Sequence, residues 1–232
     1  MRAEDVYVAG WRAARRGLAR TDLLHRWAAS PRRPVRHLRS MFAIHDVADM
    51  VDLDLAWWSY RAVEAVDAHL ARLDRQAVVF EYGAGASTVW LGRRSGAVTS
   101  VEHDGGFAEF LSPMLTGYPH VDLRLVPAVQ STDPATPSHR RGHAGLDFTD
   151  YVAAIDDVDA AFDLVVVDGR ARVAGVRAAL PRLAPGGVVL LDNADRDEYS
   201  SVVGDPSLRV QVLRGATPCL PYPTSTALLA PR

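Results

Sequence analysis

The sequence predicts an α/β fold in which a doubly wound, mostly parallel sheet carries helices on both faces. Short apolar runs that are typical of buried strands occur at residues 78–80, 164–167 and 188–191, and a further candidate strand, Val-Thr-Ser-Val, lies at 98–101. Segments with helical spacing of apolar residues separate most of these runs. Because strands joined by helical crossovers run parallel, this alternation indicates a parallel sheet with its functional residues beyond the carboxyl ends of the strands.

Composition limits the class of protein. The chain has 232 residues, of which 48% are hydrophobic, and this suits one large globular domain. The formal charge of −2 gives no reason to expect a nucleic-acid partner. The single cysteine, Cys219, excludes an internal disulfide and a cysteine-rich metal cluster. The apolar runs are shorter than a membrane span, and no apolar signal region follows the first residues. We therefore expect a soluble, cytoplasmic protein without a membrane span.

The first part of the chain differs from the rest. Residues 1–40 contain ten arginines against three acidic residues, and the apolar spacing over 5–29 predicts one or two amphipathic helices. The prolines in residues 31–39 predict an interrupted connection between elements. Asp54 is expected to cap a helix that extends to about residue 73. We assign residues 1–53 to an N-terminal helical, arginine-rich extension and residues 54–232 to the main domain. The extension is either a basic lid over an anionic substrate or a solvated helix packed on the domain.

A glycine turn follows the first predicted strand. Glu81 ends that strand, and Glu102 ends the next one, 21 residues later. An acidic side chain at about this distance from a glycine turn is what a βαβ unit uses to hold two ribose hydroxyls. The turn and the start of the helix after it supply Gly83, Gly85, Ser87 and Thr88. The segment therefore predicts a nucleoside pocket; the alternative is a glycine turn that binds no ligand.

Charge indicates which nucleoside cofactor the turn would hold. A carboxylate at Glu81 repels the pyrophosphate of a dinucleotide and attracts the sulfonium and ammonium groups of S-adenosylmethionine. Thr88 also stands where the dinucleotide fingerprint needs its third glycine. Both observations favour the methyl donor.

The motifs resemble those of a known family. Glu81-x-Gly83-x-Gly85 with Glu102 is similar to motif I and the following acidic residue of class I S-adenosylmethionine-dependent methyltransferases. Asp-Gly-Arg at 168–170 and Leu-Asp-Asn-x-Asp-Arg at 191–196 resemble bacterial members, and the likeness extends from about residue 57 to the C-terminus. The resemblance implies a seven-stranded Rossmann-like sheet with an antiparallel last strand. The cofactor-binding residues that we expect are Glu81, Gly83, Gly85, Ser87, Thr88, Glu102, His103 and Asp168.

Polar residues at two further strand ends are candidates for catalysis. An alcohol or phenol acceptor must lose its proton, which requires a general base or a divalent cation. Asp168, Asp192 and Asn193 offer oxygen ligands that suit Mg²⁺ and resemble the metal site of cation-dependent catechol and caffeoyl-coenzyme A O-methyltransferases. Ala171 stands where those enzymes have a lysine. Two alternatives stay open: a magnesium site, or a metal-free site in which Asp168 or Asp192 acts as base or orients the acceptor.

Residues around these strand ends are candidates for acceptor contacts. The segment 127–146 is predicted to be a long loop, either a lid or mobile surface, with His139 and His143 as substrate contacts. Arg170 and Arg172 either clamp an acceptor carboxylate or phosphate or pair with nearby acids. The acids considered are Asp192, Asp195 and Asp197.

We predict an S-adenosylmethionine-dependent methyltransferase that methylates a hydroxyl of a small molecule or glycan, with Mg²⁺ as an optional cofactor. We allow for a homodimer and expect no nucleic-acid partner. Two alternative functions are an NAD(P)-dependent oxidoreductase that uses the same βαβ unit and a non-catalytic subunit of the methyltransferase fold that binds a partner. The acceptor is left open, since acceptor pockets carry no general sequence code.

Overall fold

The computed structural model describes residues 3–18, 21–138 and 140–232, and the side chains of residues 3–6 lie outside the description. The strands are β1 (Val78–Tyr82), β2 (Ala97–Glu102), β3 (Val121–Leu125), β4 (Val129–Gln130), β5 (Leu146–Asp147), β6 (Phe162–Val167), β7 (Leu183–Leu191), β8 (Leu208–Ala216) and β9 (Pro223–Pro231). The helices are α1 (Ala3–Leu18), α2 (Leu23–Ala28), α3 (Arg33–Met41), α4 (Val47–Asp52), α5 (Tyr60–Ala71), α6 (Ala86–Gly92), α7 (Gly105–Leu111), α8 (Thr149–Ala153), α9 (Arg172–Ala179) and α10 (Ser200–Val203). Short 3₁₀ turns span Ser112–Leu115, Leu180–Arg182 and Asp197–Tyr199.

Seven strands form one sheet in the order β3-β2-β1-β6-β7-β9-β8. β1 pairs in parallel with β2 and β6, and the parallel pairing continues to β3 on one side and to β7 on the other. β9 lies antiparallel between β7 and β8. The strand order reverses between β1 and β6, which opens a crevice beyond their carboxyl ends. The predicted mostly parallel, seven-stranded sheet with an antiparallel last strand is confirmed.

Apolar cores cover both faces of the sheet. Alternation along β1 sends Val79 to one face and Phe80 to the other. Val79 packs in the core that contains Val66 and Leu70 of α5. Phe80 belongs to the larger core on the opposite face, with residues of α8, α9 and α10. Because the central strands are buried on both sides, their sequences are nearly continuous apolar runs.

The N-terminal helices lie near the carboxyl-end edge of the sheet. Ala43, Ile44 and Met50 pack with Ala86 of α6 and with Cys219 in one apolar cluster. This cluster brings the N-terminal segment against the helix that follows the glycine turn. The division of the chain at residue 53 stays a prediction.

A buried ion pair connects two of these helices. Arg39 of α3 donates from Nη1 to Oδ2 of Asp49 at 2.9 Å and from Nη2 to Oδ1 at 2.6 Å. Both residues are buried, so the two-point geometry compensates charges that water does not reach. The pair fixes α3 against α4.

Two predicted boundaries are wrong. The proposed connection at 31–39 is largely helical, because Pro34 lies in the first turn of α3, where proline removes no helical hydrogen bond. The helix expected from Asp54 begins later, because Ser59 supplies the capping oxygen and accepts from the backbone N–H of Ala62. Asp54 instead has a φ of +54° and forms ion pairs with arginines of the α6 region.

The segment 127–146, predicted to be a loop, contains a short ribbon in which β4 pairs antiparallel with β5. Asp147 anchors it by accepting hydrogen bonds from the backbone N–H groups of Ala135 at 2.7 Å and Thr149 at 2.8 Å. The proposed substrate contact His139 lies outside the described residues. Within the described ranges, no helix is long and apolar enough to span a membrane.

Candidate active site

Two glycines form the floor of the crevice between β1 and β6. Gly83 follows β1 with a φ of +94°, a backbone conformation that is strained for residues with a side chain. A Cβ atom at Gly83 would lie 2.5 Å from the Cα of Gly169, which follows Asp168 at the end of β6. The two turns therefore approach as closely as only glycines permit. This contact leaves room above them for a ligand.

Glu81 stabilises the glycine turn from beneath. Its carboxylate is fully buried and accepts hydrogen bonds from Ser87 at 2.5 Å, Thr88 at 2.6 Å and Ser100 at 2.7 Å. Burial raises the pKa of Glu81 to about 7, and the three hydroxyl donors oppose that rise. The hydroxyl oxygen of Thr88 also accepts from the backbone N–H of Gly85 at 2.9 Å. Both Glu81 oxygens are thus engaged within the protein, and the side chain lies behind the turn.

Glu102 ends β2 beside the same crevice. Its Oε1 accepts from the backbone N–H groups of His103 and Asp104, both at 2.8 Å, and lies 2.6 Å from Nδ1 of His103. No described residue donates a hydrogen bond to its second oxygen, Oε2. These contacts fix the carboxylate in one orientation and leave one oxygen to accept hydroxyls.

The cofactor cavity, as we name the space above the glycine turn, has a volume of about 490 Å³. Glu102 and the turn residues form one side, and Trp57 and Phe107 supply flat apolar walls. His103 and His143 also line it, with their Nε2 atoms 3.4 Å apart. The cavity lies within the size range of small-molecule sites. A mostly apolar cleft with a fixed carboxylate fits a nucleoside.

A second space, the acceptor cavity, has a volume of about 920 Å³ and adjoins the cofactor cavity. The two share His45, Trp57, Asp168 and Arg170. The acceptor cavity extends over the end of β7 toward the start of β9. Its remaining polar walls include Asp192, Asn193, Asp195, Thr217 and Thr224.

Asp192 is a buried carboxyl in the wall of the acceptor cavity. Its Oδ1 accepts from the hydroxyl of Thr226 at 2.7 Å, and its Oδ2 accepts from Nδ2 of Asn193 at 2.6 Å. Burial and the charge of Asp168 raise the pKa of Asp192 to about 7, against the opposing effect of the Arg172 guanidinium. Such a carboxyl exchanges a proton near neutral pH.

Arg172 connects the ends of β6 and β7. Its Nη2 donates to the backbone and side-chain oxygens of Asp168, both at 2.6 Å. Its Nη1 donates to the carbonyl of Asp192 at 2.6 Å and to Oδ1 of Asn193 at 3.4 Å, and its Nε donates to Gly169 O at 3.2 Å. Arginine has five N–H donors, and all five have partners here. Arg172 therefore holds the strand ends rather than offering a free edge to a ligand.

Comparison with known proteins identifies the family. Residues 80–194 match the methyltransferase-domain family. One similar structure is the O-methyltransferase from Bacillus cereus, solved with S-adenosylhomocysteine (SAH). It is 15% identical with a TM-score of 0.57, and the alignment covers 97% of this chain and 100% of that chain. The rRNA methylase from Streptococcus thermophilus is 14% identical with a TM-score of 0.51, covering 73% of this chain and 95% of that chain. No curated protein matches the chain. The chain belongs to the class I S-adenosylmethionine-dependent methyltransferases.

The structural likeness concerns the fold of this methyltransferase and not its acceptor. The titles of the two similar structures name an O-methyltransferase and an rRNA methylase, so a shared fold does not identify the acceptor. S-Adenosylmethionine is the cofactor of the family, and the cofactor cavity fits it, because the cavity is floored by glycines and lined by Glu102, whose Oε2 accepts no hydrogen bond from a described residue.

The oxygen ligands that the sequence suggests for Mg²⁺ do not fit a divalent cation in this methyltransferase. Arg172 takes one oxygen of Asp168, and both oxygens of Asp192 accept hydrogen bonds from protein groups. The raised pKa of Asp192 also means that protons compete with a metal near neutral pH. Within the described part of the chain, no three His, Cys, Asp or Glu residues are placed to hold a metal. The Arg172 guanidinium contacts Asp168 and the backbone carbonyl of Asp192, two of the residues that the resemblance assigned to the metal.

The structure separates residues that the sequence grouped. Gly83, Gly85, Ser87, Glu102, His103 and Asp168 line the cofactor cavity, whereas Glu81 and Thr88 lie behind the turn. Trp57 lines both cavities, in contrast to the next residue along the chain. Trp58 is fully buried against Trp90 instead.

Sequence reasoning missed two hydroxyls, Ser100 and Thr226. They lie inside β2 and β9 and bond to Glu81 and Asp192, respectively. The available signal was a polar residue within a buried strand, because such a residue needs a buried partner.

The paired and unpaired arginines also differ from expectation. Arg172 pairs with Asp168 and not with the acids proposed from the sequence. Arg170 forms no ion pair with any described residue. Its Nε lies 3.3 Å from Nε2 of His143, whose pKa is lowered first by burial and then by the Arg170 charge. A neutral histidine nitrogen is thus the closest partner of this guanidinium.

Proposed function

We propose that this methyltransferase transfers the methyl group to a hydroxyl oxygen of a small molecule or glycan, without a metal ion, and that Asp192 is the general base. The observation that carries the proposal is the position of Asp192, a buried carboxyl with a raised pKa that lines a cavity adjoining the cofactor cavity. A general base works best when its pKa lies near the working pH.

The cofactor side of the mechanism requires binding and orientation. Bound S-adenosylmethionine supplies an electrophilic methyl group. We infer that the Oε2 atom of Glu102 accepts the ribose hydroxyls and that Gly83, Gly85 and Ser87 border the methionine portion. Asp168 lines both cavities and offers negative charge to the cationic donor. Trp57 and His103 cover the adenosine and keep water out of the cleft.

The acceptor side requires removal of one proton. Asp192 takes the hydroxyl proton as the oxygen attacks, so the carboxylate becomes a neutral carboxyl and the leaving thioether carries the electron pair of the broken bond. Thr226 and Asn193 hold the carboxyl in place through its two oxygens. Arg172 holds the carbonyl of Asp192 at 2.6 Å, which fixes the base relative to the cofactor cavity.

A labelled-methyl assay tests the proposal. A panel of hydroxyl compounds is incubated with the protein and S-[methyl-¹³C]adenosylmethionine in the presence of EDTA, and products are analysed by NMR. We expect a ¹³C methoxy signal, its loss in Asp192→Asn, and unchanged calorimetric affinity of that variant for SAH. A methyl group on nitrogen or carbon, or full turnover by Asp192→Asn, would exclude the assignment. Failure of the wild-type protein to bind SAH at millimolar concentration would count against the cofactor site itself.

A further inference from the structure

The wall between the acceptor cavity and a third cavity consists of arginines. This outer cavity, about 350 Å³ in volume, lies between residues 135–138 with Arg140 on one side and the start of α9 on the other. The outer and acceptor cavities share four lining residues, and all four are arginine. They are Arg140, Arg170, Arg172 and Arg196.

Two of the four arginines have carboxylate partners. Arg172 pairs with Asp168 at 2.6 Å and has all of its donors engaged. Arg196 lies 3.8 Å from Glu198 at the rim, a partly exposed pair. Their charges are therefore compensated within the protein.

The other two arginines have no such partner. Neither Arg140 nor Arg170 forms an ion pair with a described residue, and the Nη2 atom of Arg170 donates to none of them. Arg170 is half-buried, and its pKa is lowered first by burial and then by the charges of Arg140 and Arg172. Two like charges that line the same two cavities, one of them partly desolvated, favour binding of an anion between them.

We propose that the acceptor carries a phosphate or carboxylate group, which Arg140 and Arg170 bind where the acceptor and outer cavities meet. The inference rests on the proposed function, since it names the class of molecule that the acceptor cavity takes. Arg170 donates from Nη1 to the carbonyl of Gly169 at 3.4 Å, and its Nη2 donates to no described residue, so a guanidinium N–H remains for the oxygens of either group. Arg170 borders all three cavities, so an anion there places the rest of the acceptor beside Asp192 and the methyl donor.

The carboxylate of the cofactor is the competing anion, and Arg140 distinguishes the two. Arg170 lines the cofactor cavity as well as the other two, but Arg140 lines only the acceptor and outer cavities. An anion of the cofactor would therefore depend on Arg170 alone. An anion of the acceptor depends on both residues.

Titration of inorganic phosphate into the SAH-loaded protein, followed by calorimetry, tests the inference. We expect Arg140→Gln and Arg170→Gln each to weaken phosphate binding about 10-fold or more, because charge-assisted hydrogen bonds are lost. Arg209→Gln, which removes an exposed arginine of β8, should stay within about twofold of the wild type. Acetate titrated in parallel shows whether the site prefers a carboxylate to a phosphate.

Three results would overturn the inference: no phosphate or acetate binding by the wild-type protein, binding that both variants retain, or a Arg170→Gln variant that loses SAH affinity but keeps phosphate affinity. The last result would assign Arg170 to the cofactor. If SAH itself fails to bind, the proposed function fails, and phosphate titration of the unloaded protein still tests the arginine site separately.

Discussion

The two halves of the sheet edge are built differently. Around β1 and β2, Glu81 and Glu102 bond mainly to residues close in sequence, such as Ser87 and His103. Around β6 and β7, Asp192 bonds to Thr226, 34 residues later. The carboxylates of the cofactor half are thus held largely by residues nearby in the chain, while Asp192 in the acceptor half also depends on a strand much later in the chain.

The halves also differ in charge compensation. In the cofactor half, the Glu81 carboxylate is buried and hydrogen-bonded, and the turn glycines leave no room for side chains. In the acceptor half, Arg140 and Arg170 lack acidic partners among the described residues, and the charge of Arg140 adds to burial in lowering the pKa of Arg170. The first half is shaped by packing around one cofactor. The second contains a candidate base, Asp192, and two arginines, Arg140 and Arg170, that we propose contact the substrate.

The largest expected effect is a loss of turnover when the acceptor half is changed. Asp192→Asn should lower kcat by about 10²- to 10⁴-fold, because general-base catalysis is lost. In the wild-type protein kcat should rise with pH through about 7, since the carboxyl must be deprotonated to accept a proton. A pH–rate profile measures both effects.

The hydrogen bond from Thr226 provides a sharper test of the same carboxyl. Because this bond lowers the pKa of Asp192, Thr226→Val should move the rising limb of the profile to higher pH. SAH affinity serves as the control and should not change in either variant. A profile that is identical in all three proteins would remove Asp192 from the reaction.

The next largest effect is a loss of stability when the cofactor half is changed. Gly83→Ala should lower the free energy of unfolding by about 3 kcal/mol, because it combines a strained positive φ with overpacking against Gly169. Gly186→Ala is the matched control, since Gly186 has a φ of +83° but no atom within 4 Å of the added Cβ. It should cost about 1 kcal/mol. Urea denaturation measures both, and equal losses would mean that the contact between the turns is unimportant.

Cofactor affinity tests the local carboxylate at the edge of this half. Glu102→Gln should weaken SAH binding about 30-fold, because a charged acceptor for hydroxyls becomes a neutral one. Glu109→Gln, which changes an exposed carboxylate on the neighbouring helix α7, should leave the affinity unchanged. Calorimetry compares the two variants. If they bind SAH equally well, the ribose is held elsewhere.

The same comparison explains what the sequence could predict. The strands, the glycine turn and the acid at Glu102 follow from patterns spanning about 25 residues, and the predicted sheet is confirmed. The orientation of Glu81 could not be predicted, because it depends on Ser100 in a neighbouring strand. The contact between Gly83 and Gly169 likewise joins turns from two strand ends, and no spacing rule encodes it.

Charge pairing was the least predictable feature. The sequence grouped Arg170 and Arg172 as equivalent candidates. In the structure, all N–H donors of Arg172 have hydrogen-bond partners, whereas Arg170 has no acidic partner among the described residues. Ala171 between them has a left-handed φ of +48°, which breaks the regular progression of side-chain directions along the chain. Arg170 and Arg172 are only two residues apart, yet Arg172 holds the strand ends and Arg170 lines the cavities without an acidic partner among the described residues.

The smallest expected effect concerns metal. Adding EDTA or Mg²⁺ should change the turnover of the wild-type protein by less than about twofold, because Arg172 already contacts one carboxylate oxygen of Asp168 and protein groups engage both oxygens of Asp192. Removal of that guanidinium should reverse the situation: in Arg172→Met, Asp168 and Asp192 lose their positive partner, so millimolar Mg²⁺ should raise the Tm of the variant but not of the wild type. Thermal unfolding with and without Mg²⁺ gives this contrast directly. Wild-type activity that EDTA abolishes and Mg²⁺ restores would show instead that a cation displaces Arg172, and the acceptor half would then be a metal site.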